Sequence, residues 1–258
     1  MTDPSSAPAA RCRALVVGAS SGMGAALVKQ LAAEGCRVAA VARRGEELAA
    51  LAQACAGPAK QAGGAVFTHA HDVSRTEEVP ELFERIVREL GGLDLMVFAA
   101  GIMPKVERTE YDTGKDLPVI AVNFGGCVAW CNPTANLFRT QRAGTLIGIS
   151  SIAGDRGRKG QPAYAATKAA MNSYLESLRN RLSEVGAHVC TIKPGYVDTR
   201  MLAGMEKLFW VISPEQAAAT ILKAARARKN TRYVPFRWMF VGMALRMIPS
   251  FLFRKLNF

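Results

Sequence analysis

The stretch "YAATK", residues 164–168, holds the first two side chains whose types and spacing could do chemistry. On a helix, Tyr164 and Lys168 stand four residues apart and share one face. A phenol with an unperturbed pKa of ~10 exchanges protons poorly near neutrality. A neighbouring ammonium stabilises the phenolate and draws that pKa toward the working range. Tyr-x-x-x-Lys alone is common and mostly structural, so what precedes it matters. "LIGISSIAG" reads as a buried strand ending in Ser150 and Ser151, fourteen and thirteen residues before the tyrosine. Open parallel sheets bind ligands outside the C-terminal ends of their strands, where these hydroxyls would be delivered.

A second constellation is "GASSGMG", Gly18–Gly24, which joins a β-branched apolar run to a helical one. Glycines there permit a tight turn and close backbone approach, and the free N–H groups of the helix attract a pyrophosphate. Gly18, Ser20, Ser21, Gly22, Met23 and Gly24 are therefore candidate dinucleotide contacts, in a G-x-x-x-G-x-G spacing rather than G-x-G-x-x-G. Sites for NAD usually carry an acid near the end of the second strand. Here "AVARRGEEL" puts Arg43 and Arg44 just past it. An acid would repel a 2′-phosphate, whereas a guanidinium binds one through paired donors. NADP(H) is the expected cofactor.

The elements that must position these residues alternate along the chain. "RALVVGA", "RVAAVA", "AVFTHAHDV", "LDLMVFAAG", "GTLIGISS" and "AHVCTIKPG" have strand character. Between them lie "GAALVKQLAAEG", "GEELAALAQACA", "VPELFERIVRELG" and helices over about Leu117–Gln141 and Pro162–Glu184. Such alternation predicts an α/β fold, a Rossmann-like doubly wound parallel sheet in one domain.

Taken in order, these motifs resemble the short-chain dehydrogenase/reductase family in its compact single-domain form, over roughly Arg13 to Ser213. The family's T-G-x-x-x-G-x-G falls on Val17–Gly24, its N-N-A-G on Phe98–Gly101, its P-G-x-x-x-T on Pro194–Thr199, and its "DV" on Asp72–Val73. The resemblance implies a catalytic tetrad of Asn123, Ser151, Tyr164 and Lys168, with Ser150 one residue out of register. It adds Asp72, Val73, Ala100, Gly101, Pro194, Gly195, Val197 and Thr199 to the cofactor contacts, and gives Lys168 and Tyr164 a place against the nicotinamide ribose. It also implies hydride transfer between a nicotinamide and a carbonyl or alcohol, and a homodimer or homotetramer. Val17, Phe98 and Ala99 depart from the polar pattern, and apolar packing is expected to replace it.

In the family, the segment after Thr199 closes over substrate; here it supplies Met201, Leu202, Met205, Phe209 and Trp210, an adaptable apolar set. The expected substrate is a hydrophobic ketone: a 3-keto sphingoid base, a ketosteroid or a 3-oxoacyl group. Two other readings stay open, an NADP(H)-sensing binding protein and a membrane-associated interaction module.

Half of the 258 residues are hydrophobic and 21% are charged, which excludes wholesale disorder. The net charge is +12, and nine basic residues with no acid lie between Ala217 and the end. The excess thus belongs to the tail, and no nucleic-acid partner is expected. Six cysteines without C-x-x-C read as buried thiols and no metal is expected; His69 and His71 read as structural or adenine-side. Residues 1–12 read as a flexible leader without a signal peptide, giving a cytoplasmic expectation, 13–213 as the catalytic domain and 214–258 as a C-terminal helix and tail. Residues 232–258, aromatic and basic, suit peripheral membrane contact, docking on a partner subunit, or a cover for the chain's own cavity. Arg237 and Arg246, nine apart, argue against a clean amphipathic face.

Overall fold

The structure, a computed structural model, describes residues 12–205 and 208–256. The predicted leader, apart from Cys12, lies outside them. In chain order the elements are β1 (Arg13–Val17), α1 (Gly22–Ala33), β2 (Arg37–Ala42), α2 (Gly45–Ala62), β3 (Ala65–Ala70), α3 (Val79–Leu90) and β4 (Leu95–Phe98). There follow α4 (Thr113–Ile120), α5 (Gly126–Gln141), β5 (Thr145–Ile149), α6 (Pro162–Ser183), β6 (His188–Pro194), α7 (Pro214–Arg226), β7 (Thr231–Val234), α8 (Trp238–Met247) and α9 (Ser250–Phe253).

The strands form one parallel sheet in the order β3-β2-β1-β4-β5-β6-β7. Side chains alternate across it. Ala14 and Val16 of β1 pack with Leu27 of α1, Leu48 of α2 and Ile221 of α7. Leu15 and Val17 face the other way, toward Ile86 of α3, Trp130 of α5 and Leu175 of α6. Both faces are covered, which is why the strands read as continuous apolar runs. Phe98 and Val17, the apolar replacements in the family's polar motifs, are fully buried in the second of these clusters. The order reverses between β1 and β4, and the crevice at their C-terminal ends is where such sheets bind ligands.

The structure differs from the sequence reading in two elements. The helix expected over 117–141 is two helices joined by a π-helical turn, Ala121–Gly125, that carries Asn123. A π turn inserts one extra residue and re-aims the side chains it contains. The basic tail was expected to begin at Arg232, but Thr231–Val234 is a seventh strand paired with β6, so the appended segment starts after the sheet is complete.

Candidate active site

Tyr164 and Lys168 lie on the buried face of α6, against the end of β5. The two serines there divide their work. The Ser150 hydroxyl donates to the Lys168 carbonyl at 3.0 Å, a bond that fixes α6 to β5. Ser151 Oγ accepts the Ala153 N–H at 3.1 Å, starting a short 3₁₀ turn over Ile152–Asp155, and borders a cavity with Tyr164. The Lys168 ammonium donates to the Ile149 carbonyl at 2.9 Å and lies 5.6 Å from the centre of the Tyr164 ring. Burial lowers its pKa to about 8.

Burial also pushes the Tyr164 phenol above its ordinary value, opposed by the Ser151 hydroxyl and the charge of Arg158. The Lys168 ammonium gives one of its three N–H groups to the Ile149 carbonyl, and Arg158 reaches the cavity from the 156–160 turn. Asn123 is held by the chain after β4: its Oδ1 accepts the Ile102 N–H at 2.7 Å and its Nδ2 donates to the Ile102 carbonyl at 3.0 Å. A Cβ on Gly101 would sit 3.4 Å from Asn123 Oδ1 and 3.6 Å from Lys168 Nζ. These two side chains thus converge on one bare stretch of backbone.

The cofactor motif lines a cleft of about 500 Å³ at the sheet reversal. Gly18, Ser20, Ser21, Gly22, Met23, Gly24, Arg43, Arg44, Asp72, Val73, Ala100, Gly101 and Thr199 all border it. Gly18 has φ +92°, and a Cβ there would collide with the Ala100 backbone, so only glycine lets β1 and β4 end this close together. Ser21 precedes α1 without capping its N–H groups, and no acid stands in that first turn. Instead the Ser20 and Ser21 hydroxyls accept from the Arg44 guanidinium at 2.8 and 2.9 Å. Arg43 is largely exposed, 3.6 Å from Asp72, whose carboxyl is held below its usual range by the Ser74 N–H, with Ser74 Oγ and Arg43 contributing. Uncapped helix N–H groups, a glycine cradle and two guanidiniums make a donor set that fits a phosphorylated dinucleotide. Of the two histidines, His71 borders the cleft beneath Trp130, and His69 pairs with Glu89 at 2.8 Å.

The second cavity, about 350 Å³, is lined by Ser151, Tyr164, Met201, Leu202 and Met205. Pro194, Gly195 and Val197, expected on the cofactor, border this cavity. The clefts meet at Met23, Met103, Thr199 and Met201. Phe209 and Trp210, expected in the pocket, stand outside its wall. Phe209 stacks on Trp238 at 5.1 Å and Trp210 meets it edge-on at 5.6 Å. It is Trp238, from the tail, that lines the cavity, lying so close to Gly195 that a Cβ there would strike the indole. Trp238, Arg158 and Gln161 are wall residues that the sequence reading missed. Trp238 carried a signal, an aromatic in the segment read as a cover for the chain's own cavity, whereas the Arg158 turn carried none.

Behind this wall the tail is fastened to the turn that follows Ser151. The fully buried Asp155 carboxylate accepts from Lys193 Nζ at 2.6 Å, from the Tyr233 hydroxyl at 2.7 Å, and from Arg246 of α8. Arg156 donates to the Leu245 and Ile248 carbonyls at the end of α8, its guanidinium 4.0 Å from the centre of the Phe253 ring.

Comparison with known proteins agrees with this geometry. A family model described as short chain dehydrogenase matches residues 13–207. An uncharacterized oxidoreductase of Staphylococcus saprophyticus is 37% identical over 186 residues, 72% of this chain and 78% of the relative. One from Mycobacterium tuberculosis is 28% identical over 258 residues, 99% of each chain. A solved structure described as a short chain dehydrogenase/reductase family protein shares the fold, with a TM-score of 0.75 at 24% identity over 86% of this chain and 94% of its own. With the motifs, the sheet order and these relatives in agreement, the chain belongs to the short-chain dehydrogenase/reductase family of nicotinamide-dependent oxidoreductases.

Proposed function

We propose that the protein reduces a ketone on a hydrophobic, lipid-like substrate with NADPH. The observation that carries this reading is the meeting of the two clefts. The apolar cavity holding Ser151 and Tyr164 opens onto the basic, glycine-lined cleft at Met23, Met103, Thr199 and Met201. A bound NADPH supplies the hydride. The chain's residues handle the oxygen. Ser151 donates a hydrogen bond to the carbonyl, and Tyr164, kept in its protonated form by burial, gives the proton. A protonated phenol suits reduction, where the acid must hold its proton until charge develops on oxygen. Lys168 and Asn123 line the route by which that proton is replaced, around Gly101.

The preference for NADPH rests on Arg44, whose guanidinium is already oriented by Ser20 and Ser21 at the phosphate end of the cleft, and on exposed Arg43 beside it. The test is loss of nicotinamide absorbance with a panel of ketones graded in chain length. Longer apolar ketones are expected to give the higher kcat/KM, and Tyr164→Phe to abolish turnover while NADPH still binds. Replacing both Arg43 and Arg44 by Asp is expected to turn the preference toward NADH. An unchanged preference would sink the NADPH assignment, and no turnover with any ketone would sink the reductase reading.

A further inference from the structure

The last two helices present two opposite surfaces. Trp238, Gly242 and Leu245 of α8 are buried against the catalytic body. The other side of the helix carries Phe240, Met243 and Met247, 61%, 51% and 81% exposed, and Phe236 continues the stripe one turn earlier. Spacings of three and four residues put Phe240, Met243 and Met247 on one face of α8, and the centre of the Phe236 ring, in the turn before the helix, lies 5.8 Å from that of Phe240. Phe251 and Leu252 of α9 extend it, 56% and 45% exposed. Arg246, which seemed from the sequence to spoil such a face, is spent inward on Asp155.

Cations frame this stripe at the level of its rings. The Arg232 guanidinium lies 4.7 Å from the centre of Phe236, and that of Arg237 lies 4.8 Å from the centre of Trp210. Arg254, Arg158 and Lys159 line a shallow groove beside α9. From residue 217 to the C-terminus there is no acidic residue. A second copy of the chain laid on this face would bring like charges together, whereas an anionic surface would complement them. Among the described residues no helix is long and apolar enough to cross a membrane.

We propose that α8 and α9 form a docking face for an anionic lipid bilayer, with Phe236, Phe240, Met243, Met247 and Phe251 in the headgroup–acyl boundary and Arg232, Arg237 and Arg254 on lipid phosphates. Exposed apolar side chains beside cations and aromatic rings are the chemistry of an interfacial helix. The buried side of α8 carries Trp238 to the cavity wall, so docking sets that cavity next to the lipid phase.

Flotation of the full chain with vesicles tests this, and needs no turnover, so it stands apart from the reductase assay. Binding is expected to vesicles of phosphatidylcholine mixed with phosphatidylglycerol at low salt, and to be lost at high salt or with phosphatidylcholine alone. Met243→Glu with Met247→Glu should abolish it, while turnover of a small water-soluble ketone, or NADPH binding, stays at the wild-type level. Arg254→Gln, a milder change, should weaken binding about fivefold, from about 1 kcal/mol per basic residue near the surface. Absence of flotation at low salt would overturn the proposal. So would flotation that ignores the two glutamates, or light scattering that shows a dimer split by them.

Discussion

Lys168→Met is expected to make the protein more stable near neutral pH and inactive at the same time. Burial lowers the ammonium from an ordinary 10.5 to about 8, with Cys127 opposing the shift weakly. At about 1.4 kcal/mol per unit, carrying the charge costs the folded state on the order of 3 kcal/mol. Methionine removes that cost but leaves the Ile149 carbonyl without its 2.9 Å donor, a loss of roughly 1–3 kcal/mol. The net gain near pH 7 is on the order of 1 kcal/mol, or about 2–4 °C in Tm for a domain of this size. The pH dependence is the sharper measurement. Between 8 and 10.5 the unfolded chain holds the lysine proton and the folded chain has released it. Stability of the wild type therefore rises with pH across this window, relative to a variant with nothing to titrate. Urea midpoints of both proteins, taken without cofactor, should cross, with the variant ahead near neutrality and behind near pH 10. A stability difference that stays constant across the window would refute the claim that Lys168 is buried as a costly ammonium.

Further outcomes separate residues that lie side by side. Ser151→Ala should lower kcat by 10²–10³-fold, the usual effect of removing about one donor to a developing oxyanion, and also lose about 1 kcal/mol through the Ala153 N–H it no longer caps. Ser150→Ala should keep most of kcat while losing a similar amount, about 1 kcal/mol, through the Lys168 carbonyl it no longer holds. Asp155→Asn leaves Lys193 buried with no carboxylate beside it, at a cost of about 3–5 kcal/mol by chemical denaturation. Limited proteolysis of that variant should cut within α8 before the sheet opens; unaltered cleavage would show that Asp155 does not hold the tail.

The parts of the site legible in the sequence are those fixed by local rules. Tyr164 and Lys168 share a face because a helix repeats every 3.6 residues, and the glycines of the first turn announce themselves because few other residues let β1 and β4 end together. The rest depends on contacts between distant segments. Asp155 meets partners 38, 78 and 91 residues away, so no periodicity reveals it. Trp238 reaches the cavity from beyond β7, and that strand, four residues with polar Thr231 and Arg232, carries too short a pattern to be told from tail. The π turn at Asn123 leaves the apolar spacing of α4 and α5 intact to the eye while shifting its phase by one residue. Phe209 and Trp210 were read onto the cavity because they sit in the right segment, yet they brace the wall from behind.

The turn from Ser151 to Arg156 has the candidate catalytic hydroxyl at one end and both fasteners of α8 at the other. The candidate active site and the tail are consequently one mechanical unit. A tail transplanted from a relative would arrive without its anchor unless Asp155, Arg156, Lys193 and Tyr233 travelled with it, and the graft would pull on the backbone that aims Ser151. Substitutions on the outward side of α8 and α9, by contrast, would change that surface without touching these contacts.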